Sequence, residues 1–228
     1  MSIINHSETA FSFLRASRAR AYRSGVKEID GRAVDGSGNG LDPRHIVEII
    51  GDGYSTAKDI AMHAIAEHLL CAAAASKDVA IIDVGGGFSS LLLREIVETK
   101  AAQKGLPGKR AALAALGRAH IFTCTDSIQI ALAVKKVRDT ALLGKIGMLV
   151  LDALDSLHFC DRVHEIGQGK AADRFIARSI VESVEARAHS IIVLREAIFN
   201  DMVEHSSRRF GKDYNDLVKI RVYAERQL

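Results

Sequence analysis

The sequence has few residues that cross-link a chain or break regular structure. Its 228 residues include no tryptophan, two prolines and three cysteines, and only 5% are aromatic. An odd number of cysteines without a C-x-x-C pair is typical of reduced thiols in a cytosolic or nuclear protein rather than of a disulfide scaffold. No apolar run approaches the roughly 18 residues of a membrane span, and we expect no secretion signal at the amino terminus.

The composition and charge are those of an ordinary globular chain. Hydrophobic residues make up 48% and charged residues 26%, which is enough for a sizeable core and argues against disorder. The length suits one domain of the larger α/β kind. Lysine and arginine number 31 against 28 acidic residues, a formal charge of +3. This mild excess permits contact with nucleic acid but does not indicate it, because dedicated DNA binders carry a denser basic patch.

Apolar runs alternate with helical periods along most of the chain. Residues 1–44 are predicted to hold an amino-terminal helix over 7–24 and a linker rich in glycine and aspartate over 30–43. Residues 45–228 are predicted to form the core domain. Strands are predicted at 45–50, 78–83, 119–124, 147–152, 189–194 and 216–225. Continuous apolar strands that alternate with helices indicate an α/β fold with a mostly parallel sheet and helices on both faces.

The stretch GDGYSTAKD, residues 51–59, resembles a phosphate-binding loop with essential groups replaced. The lysine of such a loop follows glycine and precedes serine or threonine, whereas Lys58 lies between Ala57 and Asp59. A methyl group beside the lysine hinders close approach of a phosphate, and a carboxylate in the hydroxyl position repels it. The alternative is a plain strand–turn–helix connection, in which Asp59 charges the first turn of a helix that begins there.

Two further strand ends carry residues that suit a ligand. MLVLD, residues 148–152, has the shape of the second NTPase motif, whose acid holds the Mg²⁺ shell. IIDVGGGF, residues 81–88, fits a loop for a nucleoside cofactor, the corresponding strand of an ATPase, or a tight turn without a ligand. Ligands lie at the carboxyl ends of parallel strands. The candidate nucleotide-binding residues are Gly51, Gly53, Ser55, Thr56, Lys58, Asp59 and Asp152.

The order and spacing of these segments resemble the RecA-type recombinase paralogue family. HIVEIIGDG takes the place of the family's strand and phosphate loop, and VAIIDVGGGF matches its strand closing in I-D-x-x-x-x-F. MLVLDALDSLHFCDR is similar to its apolar strand, L-D-S-L turn, aromatic and D-R pair. HIFTCTDSIQIAL and DLVKIRV resemble the patterns F-x-V-x-x-x-x-S-x-x-x-L and L-V-K-x-R. The resemblance extends from about residue 7 to the carboxyl terminus and implies a RecA-like P-loop NTPase core.

Departures from the family pattern predict that catalysis is lost. The glutamate that activates water in the family corresponds to Gly85, and Asp59 replaces the loop hydroxyl. Because phosphoryl transfer depends on positioning and electrostatics, we expect a pseudo-ATPase without catalytic residues. No cofactor is expected to be required, and weak binding of ATP and Mg²⁺ stays an alternative. The resemblance implies a nuclear assembly subunit in double-strand break repair by homologous recombination, which binds another RecA-like paralogue and promotes recombinase loading on single-stranded DNA.

Two other segments suggest macromolecular contacts. FLRA, residues 13–16, fits the F-x-x-A pattern by which RecA-like recombinases insert an aromatic into a neighbour, and it equally fits an amphipathic helix. Phe13 and Ala16 are therefore partner-docking candidates. HSSRRFGKDY, residues 205–214, combines cations with aromatics, as single-stranded nucleic-acid sites do, although a solvated loop is the commoner meaning. The cations that would contact DNA are Arg208, Arg209 and Lys212, and the aromatics are Phe210 and Tyr214.

A second class of function fits one of the segments. In an S-adenosylmethionine-dependent methyltransferase, DVGGGF would hold the cofactor, VAIID would be the first strand of the sheet, and Asp126 would be the next acid. This hypothesis leaves HIVEIIGDG without a role. The histidines and cysteines match no standard metal-site spacing, since His63 and His68 are five residues apart. We therefore expect no metal site built from them.

Overall fold

The fold is seen in a computed structural model that describes residues 21–33, 39–51, 54–71, 77–84, 86–154, 156, 169–187, 189–196 and 210–224. Most of the predicted amino-terminal helix lies outside these ranges. The last residues of that prediction are not helical, because Tyr22 forms an isolated antiparallel bridge with Leu41. The pairing is made by two backbone hydrogen bonds, from each amide to the other carbonyl, of 2.9 and 3.1 Å.

Helices and strands alternate along the chain. The helices are α1 (Lys27–Asp30), α2 (Tyr54–Leu70), α3 (Ser90–Gln103), α4 (Gly108–Leu116), α5 (Ser127–Leu142), α6 (Gly169–Glu185) and α7 (Lys212–Leu217). The strands are β1 (Ile46–Gly51), β2 (Asp78–Val84), β3 (Ala119–Cys124), β4 (Ile146–Asp152), β5 (Ser190–Glu196) and β6 (Val218–Ala224).

The six strands form one sheet in the order β3-β2-β4-β5-β1-β6. Every pairing is parallel. The predicted α/β class is therefore confirmed. All the carboxyl ends of the strands lie at one edge of the sheet, so the ends of β1, β2 and β4 share that edge.

Helices cover both faces of the sheet. The first four helices pack with one set of strand residues in a core that includes Ile49, Ile81 and Val150. Helices α5 to α7 pack with the alternate residues, such as Ile82 and Leu149. Both β1 and β4 are buried along their whole length, which explains why their sequences are nearly continuous apolar runs.

Two helices begin at side-chain caps that the sequence provides. Asp126 accepts a hydrogen bond from the Gln129 amide at 2.8 Å, as predicted for the start of α5. Ser89 accepts one from the Leu92 amide at 3.2 Å at the start of α3. Each cap satisfies an amide that the first turn of a helix leaves without a partner. The capped helices follow β3 and β2, and so fix the loops at the carboxyl edge.

Two element boundaries differ from prediction. Helix α2 begins at Tyr54, five residues before Asp59, because the small polar residues after the glycines are themselves helical. The predicted strand 216–225 is shorter, and residues 212–217 form α7. That short helix follows Gly211, whose φ of 85° turns the chain in a conformation that favours glycine.

Candidate functional site

The Lys58 side chain reaches the carboxyl edge of the sheet and is engaged there by the protein itself. Its Nζ lies 3.1 Å from Oδ2 of Asp152 and donates a hydrogen bond of 3.0 Å to the Gly87 carbonyl. Only 16% of the side chain is exposed. One ammonium therefore joins the second turn of α2 to the end of β4 and to the loop after β2. The structure brings together Lys58 and Asp152, as the two motifs predict.

Asp152 is a buried carboxylate with incomplete pairing. Its side chain is fully buried, and its Oδ1 has no hydrogen-bond partner within the described ranges. Burial raises the pKa of Asp152, the Lys58 ammonium opposes that rise, and the nearby Asp83 carboxylate adds to it. Asp83 and Asp152 are register partners across β2 and β4, which places two acids side by side. Such a pair suits a site where positive charge is bound.

Gly87 is held in place against the lysine. Its amide donates to Oδ1 of Asp83 at 3.0 Å, so the acid that ends the β2 motif organises the turn after it. A Cβ added at Gly87 would lie 2.7 Å from the Lys58 Nζ. The close approach of backbone and ammonium therefore depends on glycine at this position. Sequence reasoning missed this contact, although the Asp-x-Gly-Gly-Gly spacing is a signal for a tight turn.

The other phosphate-loop candidates do not converge on one point. Gly51 ends β1 and is buried, and Thr56 lies half-buried in the first turn of α2. The Asp59 side chain is 60% exposed and lies 3.9 Å from His63 Nε2. The idea that Asp59 charges the first turn of its helix is wrong, because the first turn of α2 contains no acid. Gly53, Gly85 and the Ser55 side chain lie outside what the structure describes.

A second buried charge cluster lies next to this site and was missed from the sequence. Glu48 in β1 is fully buried and accepts hydrogen bonds of 2.9 Å from Tyr214 Oη and from Arg221 Nε. Arg195 Nη1 of β5 lies 3.6 Å from its Oε1. The signal was present, since Glu48 interrupts the apolar run HIVEII. The cluster joins β1, β5, β6 and α7 beneath the loop that follows Gly51.

The aromatic part of the predicted DNA segment is wrong. Phe210 and Tyr214 are 4% and 0% exposed, and their ring centroids lie 5.0 Å apart in the core. They therefore pack against the protein and offer no stacking surface to bases. Lys212 begins α7 and is exposed, so it stays a DNA-contact candidate. Phe13, Ala16, Arg208 and Arg209 lie outside the described residues.

Other kinds of site find little support in the described part of the chain. No group of three or more histidine, cysteine or acidic residues is arranged there to hold a metal ion. Cys71 and Cys124 are free thiols. None of the helices in these ranges has the length and apolar character needed to span a membrane.

Comparison with known proteins adds a likeness of fold. No family model matches the sequence. No curated protein matches it either. Among solved structures, the crystal structure of the RadB recombinase is similar, with a TM-score of 0.56 and 20% sequence identity. The match covers 79% of this chain and 74% of RadB. The chain therefore has the fold of a RecA-like recombinase, as the motif order predicts.

The methyltransferase hypothesis is not supported. It requires VAIID to be the first strand of the sheet, whereas HIVEIIG forms β1, hydrogen-bonded to β5 and β6 in the same sheet. Asp126, the acid assigned to the cofactor, caps α5 through the Gln129 amide.

Proposed function

We propose that this chain is a non-catalytic RecA-like recombinase paralogue. In this role it is an assembly subunit for the repair of DNA double-strand breaks by homologous recombination. It acts in the nucleus with another RecA-like paralogue, and the pair promotes loading of a recombinase on single-stranded DNA. The finer resemblance, to the short paralogue X-ray repair cross-complementing protein 2, belongs to this proposal. The fold likeness to RadB recombinase supports the recombination setting.

The engagement of Lys58 carries the non-catalytic part of the proposal. A lysine that serves phosphates must turn its ammonium toward them, but this one is held by Asp152 and by the Gly87 carbonyl. Asp59 stands where a hydroxyl would ligate Mg²⁺, and its side chain faces solvent beside His63. Positioning and electrostatics account for most of phosphoryl-transfer catalysis. A loop with these substitutions is therefore a poor catalyst.

The open edge of the sheet supports the assembly part of the proposal. Among the described strands, β3 ends the sheet and pairs only with β2. Its Ile121 is 41% exposed, although this position faces the same side as buried Ile81 of β2. Exposed backbone and apolar surface on an edge strand favour pairing with another chain. A subunit kept for assembly would use such an edge.

Turnover measurement tests the loss of catalysis. The purified chain and its Lys58→Ala variant are assayed for phosphate release from ATP with and without Mg²⁺, with Lys109→Ala on exposed α4 as the control. We expect all three proteins to give the same background rate. Mg²⁺-dependent hydrolysis that Lys58→Ala abolishes and Lys109→Ala preserves would overturn the non-catalytic proposal.

Purification of the endogenous chain tests the assembly role. The expected result is a stoichiometric RecA-like paralogue in the same complex. A chain recovered alone, or with a stoichiometric partner from another class of protein, contradicts the role. This experiment is independent of the turnover assay, so each half of the proposal can fail separately.

A second candidate is a site that binds ATP without cleaving it and braces a subunit interface. The observation in its favour is that the pocket side of the fold retains a lysine facing two acids, with part of the Lys58 side chain exposed. Crystals soaked with a non-hydrolysable ATP analogue decide the matter. Density beside Lys58 supports this candidate, and its absence at saturating analogue contradicts it.

A further inference from the structure

A cleft of about 560 Å³ lies between α6 and the beginning of α7, away from the Lys58 site. Its apolar lining comes from Ala177 and Val181 of α6 and from Phe210 and Tyr214. The tyrosine hydroxyl is fixed by Glu48, and the Arg195 guanidinium lies 5.3 Å from the Phe210 ring centroid. The base of the cleft is therefore rigid and already shaped before anything binds.

One face of α6 forms a long wall of this cleft. The wall consists of Arg174, Ala177, Arg178, Val181, Glu182 and Glu185. Their spacing of three and four residues places them on one side of a helix. The stripe is about 16 Å long, which corresponds to three turns. Ala177 and Val181 lie along its middle, and the charged residues flank them. A stripe of this shape matches a second helix lying in a groove.

The charges along the wall are ordered by sign. Arg174 and Arg178 occupy the first part of the stripe, while Glu182 and Glu185 occupy the last turn of α6. The macrodipole of a helix favours acids in the first turn and bases in the last. In α6 the first turn has no acid and the last turn has no base. The stability of α6 itself therefore does not explain this order of charges.

Internal ion pairs account for the middle of the stripe only. Glu182 accepts from Arg138 Nη1 at 2.5 Å and from Arg178 Nε at 3.1 Å. Arg174 and Glu185, at the two ends, take part in no ion pair across the ranges that the structure describes, and both are exposed. A positive end and a negative end thus face solvent on either side of a small-residue groove.

We propose that this cleft binds an amphipathic helix of a partner protein. The acidic end of that helix lies against Arg174 and Arg178, its apolar face covers Ala177 and Val181, and its basic end lies against Glu185. The small side chain of Ala177 lets the two helix backbones approach closely. This surface lies on the opposite layer from α2, so the inference does not depend on whether the Lys58 site binds nucleotide.

Nucleic acid fits the same cleft poorly. A phosphate backbone carries one sign of charge along its length. It would pair with Arg174, Arg178 and Lys212, but it would also meet Glu185 and Asp213 in the same lining. An occupant with charges of both signs, arranged in order, satisfies both halves of the stripe.

Two labelled peptides of identical composition test the proposal on the full chain. Each has about 14 residues, enough to span the stripe, and a leucine-rich face. The first carries glutamates in its first two turns and lysines in its last two, and the second alternates the same charges. Fluorescence anisotropy is expected to show roughly tenfold tighter binding of the ordered peptide. Equal affinities, or no binding of either peptide, would overturn the proposal.

Charge reversals at the two ends give a test of sign. Arg174→Glu and Glu185→Lys should each weaken binding of the ordered peptide roughly three- to tenfold. Lys109→Glu on α4, in the other layer, is the matched control and should leave binding unchanged. Both α6 positions are exposed, and equal melting temperatures check that the variants fold. Reversals without effect on the ordered peptide exclude the cleft as its site.

A single-stranded oligonucleotide serves as the competing probe. If the cleft binds nucleic acid, Arg174→Glu weakens binding and Glu185→Lys strengthens it, because added positive charge always helps. If it binds a helix with ordered charges, both reversals weaken binding of the peptide. Oligonucleotide binding that follows the first pattern, together with peptide binding that does not follow the second, overturns the proposal.

Discussion

Two buried carboxylates on strands that flank β5 differ in how completely they are paired. Glu48 of β1 accepts from Tyr214 and Arg221 and lies beside Arg195. Asp152 of β4 has one cation, Lys58, and an oxygen without a hydrogen-bond partner among the described residues. Both side chains are fully buried.

The difference separates a structural cluster from a candidate ligand site. Removing a charge from water is costly unless hydrogen bonds and opposite charges replace the lost hydration. The Glu48 cluster meets that condition with groups from three other elements. The Asp152 pair does not meet it, and its neighbour Asp83 makes the local excess of negative charge larger. An incompletely paired acid at a carboxyl edge is the pattern expected of a site shaped for something other than stability.

The largest expected effect is the loss of Glu48. Glu48→Ala leaves Arg195 and Arg221 without their shared carboxylate, and removing one partner of a buried pair costs about 3 to 5 kcal/mol. Urea unfolding should show this loss, with exposed Glu95→Ala as the control near zero. A loss below about 1 kcal/mol would break the comparison, since the cluster would then not be structural.

The second effect comes from buried groups with no partner at all. Burial lowers the pKa of His68 to about 4 and of His189 to about 3, and none of their ring nitrogens has a hydrogen-bond partner within the described chain. The unfolded chain takes up protons near pH 6.5 that the folded chain refuses. Stability is therefore full above pH 6.5 and falls by about 3 kcal/mol per histidine down to pH 4.

Urea midpoints between pH 7 and pH 4 measure this loss. His189→Leu should remove about half of the pH dependence. His63→Gln, on the exposed face of α2, is the control and should retain all of it. Equal slopes in the His189→Leu variant and the unaltered chain would show that His189 is not held neutral. The comparison gains a reference for what an unpartnered buried group costs.

The third effect tests Asp152 itself. Because burial raises its pKa, the charged form is disfavoured in the fold, and its stabilising contribution at pH 7 is small or negative. Asp152→Asn should change the free energy of unfolding by less than about 1 kcal/mol, in either direction. The two buried acids would be equivalent after all if this substitution cost as much as Glu48→Ala. Thermal unfolding of both variants side by side gives the answer.

The smallest effect is expected at Gly87. A Cβ there would meet only the end of the flexible Lys58 side chain, at 2.7 Å, so the ammonium can move aside. Gly87→Ala should cost about 0.5 to 1 kcal/mol. Gly147→Ala is the contrasting variant, because its Cβ would meet the His68 ring and the Lys77 Cβ at 2.9 Å. A larger loss at Gly87 than at Gly147 would indicate that the lysine cannot move.

The sheet could be predicted from the sequence more completely than the site. Apolar strands buried on both faces leave continuous runs such as MLVLD, and their ends are within two residues of the prediction in five of the six strands. Helix α7 was missed because KDYNDL has no apolar period, and its fold depends on Tyr214 reaching Glu48. That contact joins residues far apart in sequence, which no local pattern encodes.

The site followed the same rule. The nearness of Lys58 and Asp152 was predictable, since parallel strands end at one edge. The contact between Lys58 and the Gly87 carbonyl was not, because it depends on a turn fixed by the Asp83 side chain. Asp59 was assigned to a helix start because the glycines suggested a longer loop, whereas the helix already begins at Tyr54.

The bond between Lys58 and its two internal partners makes the lysine a competitor of any anion that would enter. An incoming phosphate has to displace Asp152 and the Gly87 carbonyl from the ammonium, and these groups are tethered and always present. Its apparent affinity is divided by the equilibrium constant of the internal pair, so every 1.4 kcal/mol of pairing weakens binding about tenfold. The chain thus carries its own inhibitor, built from two neighbouring loops.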